Sequence, residues 1–343
     1  MRNNYQSLST KLLAFKRLVA FVLILMFTSI APLSAKNLIK IALTSTADLE
    51  RSGSYVWAKA FADVLEKSGM EVVIYPSSTL GNEIVRTEQL LLGLLEVNMT
   101  GNQEVEMLSE LYAGLELPFI FNNSEELEQL HDDPMFQSAV NNTTRPYGMR
   151  VVDFAPLGGM IGLFTANSPV HKVDDLQKLR MRAMSSVQLS YYNAWGVAST
   201  QVAWEEVPQA LQTGIVNGYL NSPIVALQFG HGSQLDYFTD LQLQPSSRTV
   251  VMSEKWYQKL NKSQQQTVEQ AILHARKVVR EWNIRTRVSE FKRLESSTIK
   301  VIKLTDQARA EFREKVLPLY KTSVPTTVLD EITEFLNKIR EVK

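Results

Sequence analysis

The stretch Trp204–Pro223, WEEVPQALQTGIVNGYLNSP, decides how this chain is read. Val207, Leu211 and Ile215 sit at helical spacing behind the acidic start Glu205-Glu206, and Gly214 after Thr213 is a stop signal. A short strand over Val216–Asn221 follows, closed by Pro223. An aromatic ring thus precedes a helix, and an amide, Asn221, ends the next strand. Side chains delivered from strand ends line the clefts of α/β domains, where ligands bind.

Working outward, the preceding segments read as strands at Ile161–Ala166 and Arg180–Ala183, with a helix over Ser186–Trp195. Gly158, Gly159 and Gly162 cluster where the chain can cross between domains. The first half alternates NLIKIAL, a helix over Ser54–Ser68, EVVIY, a helix over Gly81–Leu95, and a strand at Val97–Thr100. That βαβαβ rhythm implies parallel strands with crossover helices. Further on, Arg248–Met252 reads as a strand returning to the first domain. Lys262–Ser296 then has no Gly or Pro and one apolar stripe, Val268, Ala271, Ile272, Ala275, Val278, Val279 and Trp282. As one helix it runs about 50 Å, enough to touch two domains. A coiled-coil dimer is the competing reading, but the stripe keeps no heptad. The expected fold is α/β and two-lobed, like a periplasmic binding protein, each lobe a mostly parallel sheet flanked by helices, with the long helix spanning both. The expected boundaries are a signal peptide over 1–35, lobe I from 36–158 plus 248–290, and lobe II from 159–247 plus 291–343.

The chain has 343 residues, 36 Lys plus Arg against 36 Asp plus Glu, and no cysteine. The charge balance gives no sign of a nucleic-acid partner. Without cysteine there is no disulfide, thiolate nucleophile or cysteine metal site. The first 35 residues carry Arg2, Lys11, Lys16 and Arg17 and no acidic residue, then the apolar run Leu18–Ile30 and small residues up to Ala35. This three-part pattern predicts a signal peptide and an exported, periplasmic protein. The apolar run is shorter than the ~20 residues a spanning helix needs.

The four histidines, His131, His171, His231 and His274, have no metal-ligand spacing and no G-x-S-x-G partner. No phosphate-binding glycine motif occurs. Leu179-Arg180-Met181-Arg182-Ala183 carries more. Alternation along a strand puts Arg180 and Arg182 on one side and the apolar residues on the other. A guanidinium pairs with a carboxylate through two parallel hydrogen bonds. From spacing alone, Arg182 fits a surface salt bridge as well as a clamp. Likewise Trp204 fits a core, Asn221 a turn cap, and Glu83 and Asn102 solvated loop positions after strand ends.

EEVPQALQTGIVNGYLN closely resembles the "E-V-Y-x-A-L-Q-T-G-x-V-D-G-x-E-N" segment of the DctP family, solute-binding proteins of TRAP (tripartite ATP-independent periplasmic) transporters. Residues 75–83, YPSSTLGNE, are similar to the family's "P-x-x-x-L-G-x-E", LPFIF at 117–121 to its signature, and LQKLRMR at 176–182 to "L-K-G-L-K-I-R". The resemblance implies that two lobes close over a small organic acid. It implies that Arg182 clamps the ligand carboxylate, Trp204 covers the ligand and Asn221 hydrogen-bonds it. Glu83 and Asn102 become further first-lobe contacts. It also implies delivery to TRAP membrane subunits, with no catalysis, cofactor or metal, by a monomer. Gly162 stands near the place where many members carry another arginine, and Asn217 and Leu220 replace the usual Asp and Glu. A monocarboxylate is therefore the expected ligand. The alternatives are an exported enzyme using the same cleft and a binding protein feeding a sensor.

Overall fold

The computed structural model describes residues 38–341; the signal peptide expected over residues 1–35 lies outside them. β1 (Ile39–Ala42), β2 (Val72–Tyr75) and β3 (Val97–Thr100) run parallel, with β1 in the middle. Parallel neighbours need crossover connections. Helix Gly53–Lys67 supplies the first and helix Glu83–Leu92 the second. The first starts where the Ser52 hydroxyl accepts the Tyr55 N–H, and it buries Val56, Trp57, Ala60, Phe61 and Leu65. The second is capped by Asn82 and ends at Gly93, whose φ of 80° closes the last turn.

The chain then builds β4 (Met149–Met160), β5 (Gly162–Thr165), β6 (Arg180–Ala183), β7 (Ala198–Gln201), β8 (Gly218–Asn221), β9 (Tyr237–Asp240), β10 (Pro245–Ser253) and β11 (Lys300–Lys303). They form a five-stranded sheet in the order β2-β1-β3-β10-β4 and a six-stranded sheet in the order β11-β9-β5-β8-β6-β7. Both are mostly parallel, as the sequence predicts, and each holds one reversed strand. In the first it is β10, antiparallel to β3 and β4; in the second it is β5, antiparallel to β8 and β9. These are the strands by which the chain passes into each sheet from the other, without a crossover helix.

The two crossing segments are bonded to each other. β4 extends to Met160, which pairs with Pro245 of β10. Ile161 N–H then donates to the Gln244 carbonyl (2.7 Å), and Leu243 N–H to the Ile161 carbonyl (2.9 Å). Gly158 and Gly159 take φ of 77° and 115°, which lets the strand bend there. A third passage is helix Lys262–Glu295, 34 residues capped by a reciprocal Asn261–Gln264 box. Its residues from Val268 to Trp282 pack under the first sheet, whereas Leu294 belongs to the core of the second. Arg276 on this helix reaches the fully buried Asp153 of β4 (3.0 Å), which also accepts from Trp57 Nε1 (2.7 Å).

Two details differ from the sequence reading. Ile215 is exposed, because the helix ends at Gln212 and Gly214 turns the chain with a φ of 70°. The C-terminal helix Thr326–Glu341, assigned with the second lobe, packs on helices Glu110–Leu115 and Ser124–Asp132 beside the first sheet. Its buried stripe, Val328, Ile332, Phe335 and Leu336, needs an apolar cover but does not say which one. Gly114 admits Ile332 so closely that a Cβ there would lie 2.4 Å from Ile332 Cδ1.

Gly53 is where helix, β4 and long helix meet: an added Cβ would lie 2.0 Å from the Pro156 carbonyl oxygen and 2.8 Å from the Trp282 ring. Gly53→Ala is expected to cost about 1–3 kcal/mol of stability, since backbone cannot yield as a side chain would. Urea denaturation measures it, and an unchanged midpoint would contradict the contact.

Candidate functional site

Arg182 lies on β6, flanked in the chain by the fully buried Met181 and Ala183. Arg180 and Arg182 end differently. Arg180 is exposed and donates to the Gly214 carbonyl. Arg182 is 5% exposed; its Nε donates to the Val202 carbonyl (2.9 Å), and its guanidinium carbon lies 5.4 Å from the Trp204 ring centroid. Burial lowers its pKa to about 10; the Glu83 carboxylate works to raise it and the Arg248 charge to lower it further. The group stays protonated at neutral pH. Among the described residues no carboxylate lies within ion-pair distance of it.

Arg182 faces a cavity of about 260 Å³ with walls from both sheets. Arg248 comes from β10 of the first sheet and Glu83 and Gln103 from helices beside it, whereas Met184, Val202 and Trp204 follow strands β6 and β7 of the second. Across the rim, the Ser78 hydroxyl donates to Glu205 Oε1 (3.0 Å). Two smaller recesses adjoin, and Arg248 borders the cavity and both of them.

Glu83 opens its helix and is 8% exposed. It accepts from Thr44 Oγ1 (3.0 Å), Gln103 Nε2 (3.0 Å), Gly101 N–H (3.3 Å) and Arg248 Nη1 (2.5 Å). The fully buried Arg86 stands 4.0 Å away. Burial alone would raise the Glu83 pKa, but Arg248, Arg86 and the Thr44 hydrogen bond outweigh it and hold the carboxyl below its usual range. Its lone pairs are committed to protein donors.

Trp204 is 8% exposed. It meets Tyr219 and Phe229 edge-on at 5.8 and 5.0 Å and lies 5.2 Å from His231. Tyr219 Oη and His231 Nδ1 are 3.0 Å apart. Burial, then the Arg182 charge, lowers the His231 pKa to about 4, so the ring is neutral at pH 7. The indole is thus both core and cavity wall. Asn221 ends β8; its Oδ1 accepts the Ser222 N–H (2.9 Å), and its Nδ2 has no protein acceptor among the described residues. Asn102 is used up internally, with Nδ2 donating to Glu116 (2.8 Å) and Oδ1 accepting from Thr249 (2.7 Å).

The structure therefore gathers Arg182, Trp204 and Glu83 around one cavity and puts Asn221 and Asn102 on an adjoining recess. Sequence reasoning missed Arg248. It sits at the start of RTVVM, and nothing local shows that this strand lies opposite Glu83. Among the described residues no cluster of three His, Asp or Glu side chains is placed to hold a metal ion.

Comparison with known proteins matches residues 45–326 to the model of the family DctP, described as bacterial extracellular solute-binding protein, family 7. The sialic acid-binding periplasmic protein SiaP of Vibrio cholerae is 23% identical over 88% of this chain and 92% of that protein. A TRAP periplasmic solute binding protein from Xanthobacter autotrophicus, solved with β-D-galacturonate, superposes with a TM-score of 0.79 at 20% identity, covering 87% of this chain and 99% of that one. Another, from Sulfurospirillum deleyianum with succinate, gives 0.79 at 20% identity over 87% and 99%.

Replacing Glu83 by Gln leaves the Arg86 and Arg248 charges without their carboxylate. At pH 7 this is expected to cost about 3–5 kcal/mol, the usual effect of breaking a buried ion pair. The folded pKa is depressed, so the stabilisation is complete above the ordinary glutamate range and fades as pH falls through the folded value. Urea melts from pH 7 to pH 3 should show the deficit of the variant shrinking with acid; a constant deficit would contradict the assignment.

Proposed function

Since this chain belongs to the DctP family of bacterial extracellular solute-binding proteins, we propose that it captures a small organic acid between its two lobes and hands it to the membrane subunits of a TRAP transporter. One observation carries the ligand class. Arg182 is a buried guanidinium with no carboxylate partner among the described residues, set in a cavity lined from around both sheets. A charge out of water is costly unless a counter-charge reaches it. A ligand carboxylate supplies that counter-charge with two parallel hydrogen bonds. The β-D-galacturonate and succinate of the two similar structures each carry a carboxylate.

In this reading Trp204 closes one side of the ligand and holds the Arg182 guanidinium near its ring face, a favourable cation–π placement. The free Nδ2 of Asn221 donates to a ligand oxygen. Glu83 and Asn102 act on the ligand through their neighbours, Glu83 by fixing Arg248 and Asn102 by fixing Glu116. The lobes are residues 38–158 with 248–290 and residues 159–247 with 291–325, the C-terminal helix covering the first. Ligand contacts from both lobes exist only when they are closed, so binding shifts an open–closed equilibrium. The protein works as an exported, periplasmic monomer, and it performs no reaction of its own.

A thermal-shift screen of organic acids identifies the ligand, because an acid at 100 times its Kd adds about 2.7 kcal/mol of stability. Titration calorimetry of that acid against Arg182→Ala should then show a loss of about 2–5 kcal/mol in binding with the fold intact. Retained affinity would remove Arg182 from the site.

A further inference from the structure

The second sheet has no room for a second cation at Gly162. A Cβ there would lie 2.3 Å from the Phe238 ring and 2.6 Å from the Thr239 carbonyl oxygen. The first sheet offers one instead. Arg248 stands near the start of β10, half-buried, bordering the main cavity and both recesses. Only its Nη1 is engaged, by Glu83; among the described residues Nε and Nη2 have no protein acceptor. The side chain keeps 15% of its surface exposed, and the residue lines the cavity and both recesses. Glu83 is itself held by Thr44, Gln103 and the Gly101 N–H, so the guanidinium is braced before any ligand arrives. Two braced guanidiniums thus face one crevice from opposite lobes, and one carboxylate answers only Arg182.

We propose that Arg248 is a second ligand-binding side chain, and that the captured acid carries a further oxygen-bearing group which Arg248 reads while Arg182 holds the carboxylate. This rests on the organic-acid reading above and narrows it, away from a plain monocarboxylate. A site built with buried donors rejects an analogue that lacks the matching acceptor far more strongly than an apolar pocket can. Arg248 is therefore a specificity residue: it decides between organic acids that differ in oxygen content.

The test titrates butyrate, succinate and D-glucuronate into the wild type, Arg248→Met and Arg182→Met. The wild type should bind succinate or D-glucuronate at least tenfold more tightly than butyrate. Arg248→Met should bring that ratio within threefold of unity, and Arg182→Met should remove binding of all three. If the wild type prefers butyrate or binds neither oxygen-rich acid, or if the preference survives Arg248→Met, the inference is overturned. Wild-type-like binding by Arg182→Met would instead overturn the carboxylate reading itself, whatever Arg248→Met does. Should Arg248→Met fail to fold, Arg248→Gln, which keeps one donor toward Glu83, carries the same test, with at least a threefold fall in the preference expected.

Discussion

The ion pair between Glu83 and Arg248 joins two parts of the chain 165 residues apart. One is the start of a crossover helix; the other is the strand that returns from the second sheet. A carboxylate in this place would be expelled or protonated if it stood alone. Here it is ringed by Arg248, Arg86, Thr44, Gln103 and a backbone N–H, and it stays ionised. The same pair fixes the first-lobe wall of the crevice and leaves half of a guanidinium facing it. The lining of the cavity is therefore held by the same group of contacts that ties the helix start to the strand, and Arg182 lines the same cavity.

Much of this was legible in the sequence because it is local. β3 and β6 run from Val97 to Thr100 and from Arg180 to Ala183, as the apolar and β-branched spacing predicts. The helices read over Ser54–Ser68, Gly81–Leu95 and Lys262–Ser296 are present as Gly53–Lys67, Glu83–Leu92 and Lys262–Glu295. The Arg182 side chain also lines a crevice, where strand alternation allowed it to point. That it has no carboxylate partner among the described residues could not be read, because partners come from other elements.

The parts that were not legible share that non-local cause. β9, Tyr237–Asp240, has no long crossover helix leading into it to announce it; β5 and β11 flank it. The short helices Asn102–Glu106 and Glu110–Leu115 have no long apolar stripe, and tertiary packing decides them. The C-terminal helix has a clear stripe and the wrong lobe, because its cover is chosen by Gly114 and by the Arg340–Glu126 pair at 2.8 Å. Arg248 is in the same position: it reads as an ordinary charged residue until the sheet order brings it to Glu83, which the family resemblance alone singles out.

The strand order has a consequence for how the chain comes into being. β10 stands between β3 and β4, so the first sheet is split until residue 253 has been made. A nascent chain holding only β1 to β4 has two bare strand edges and an unfinished core beneath them. Pairings between such distant segments form slowly, because the intervening loop must close first. The first sheet is therefore completed only by a strand that returns after the chain has built most of the second.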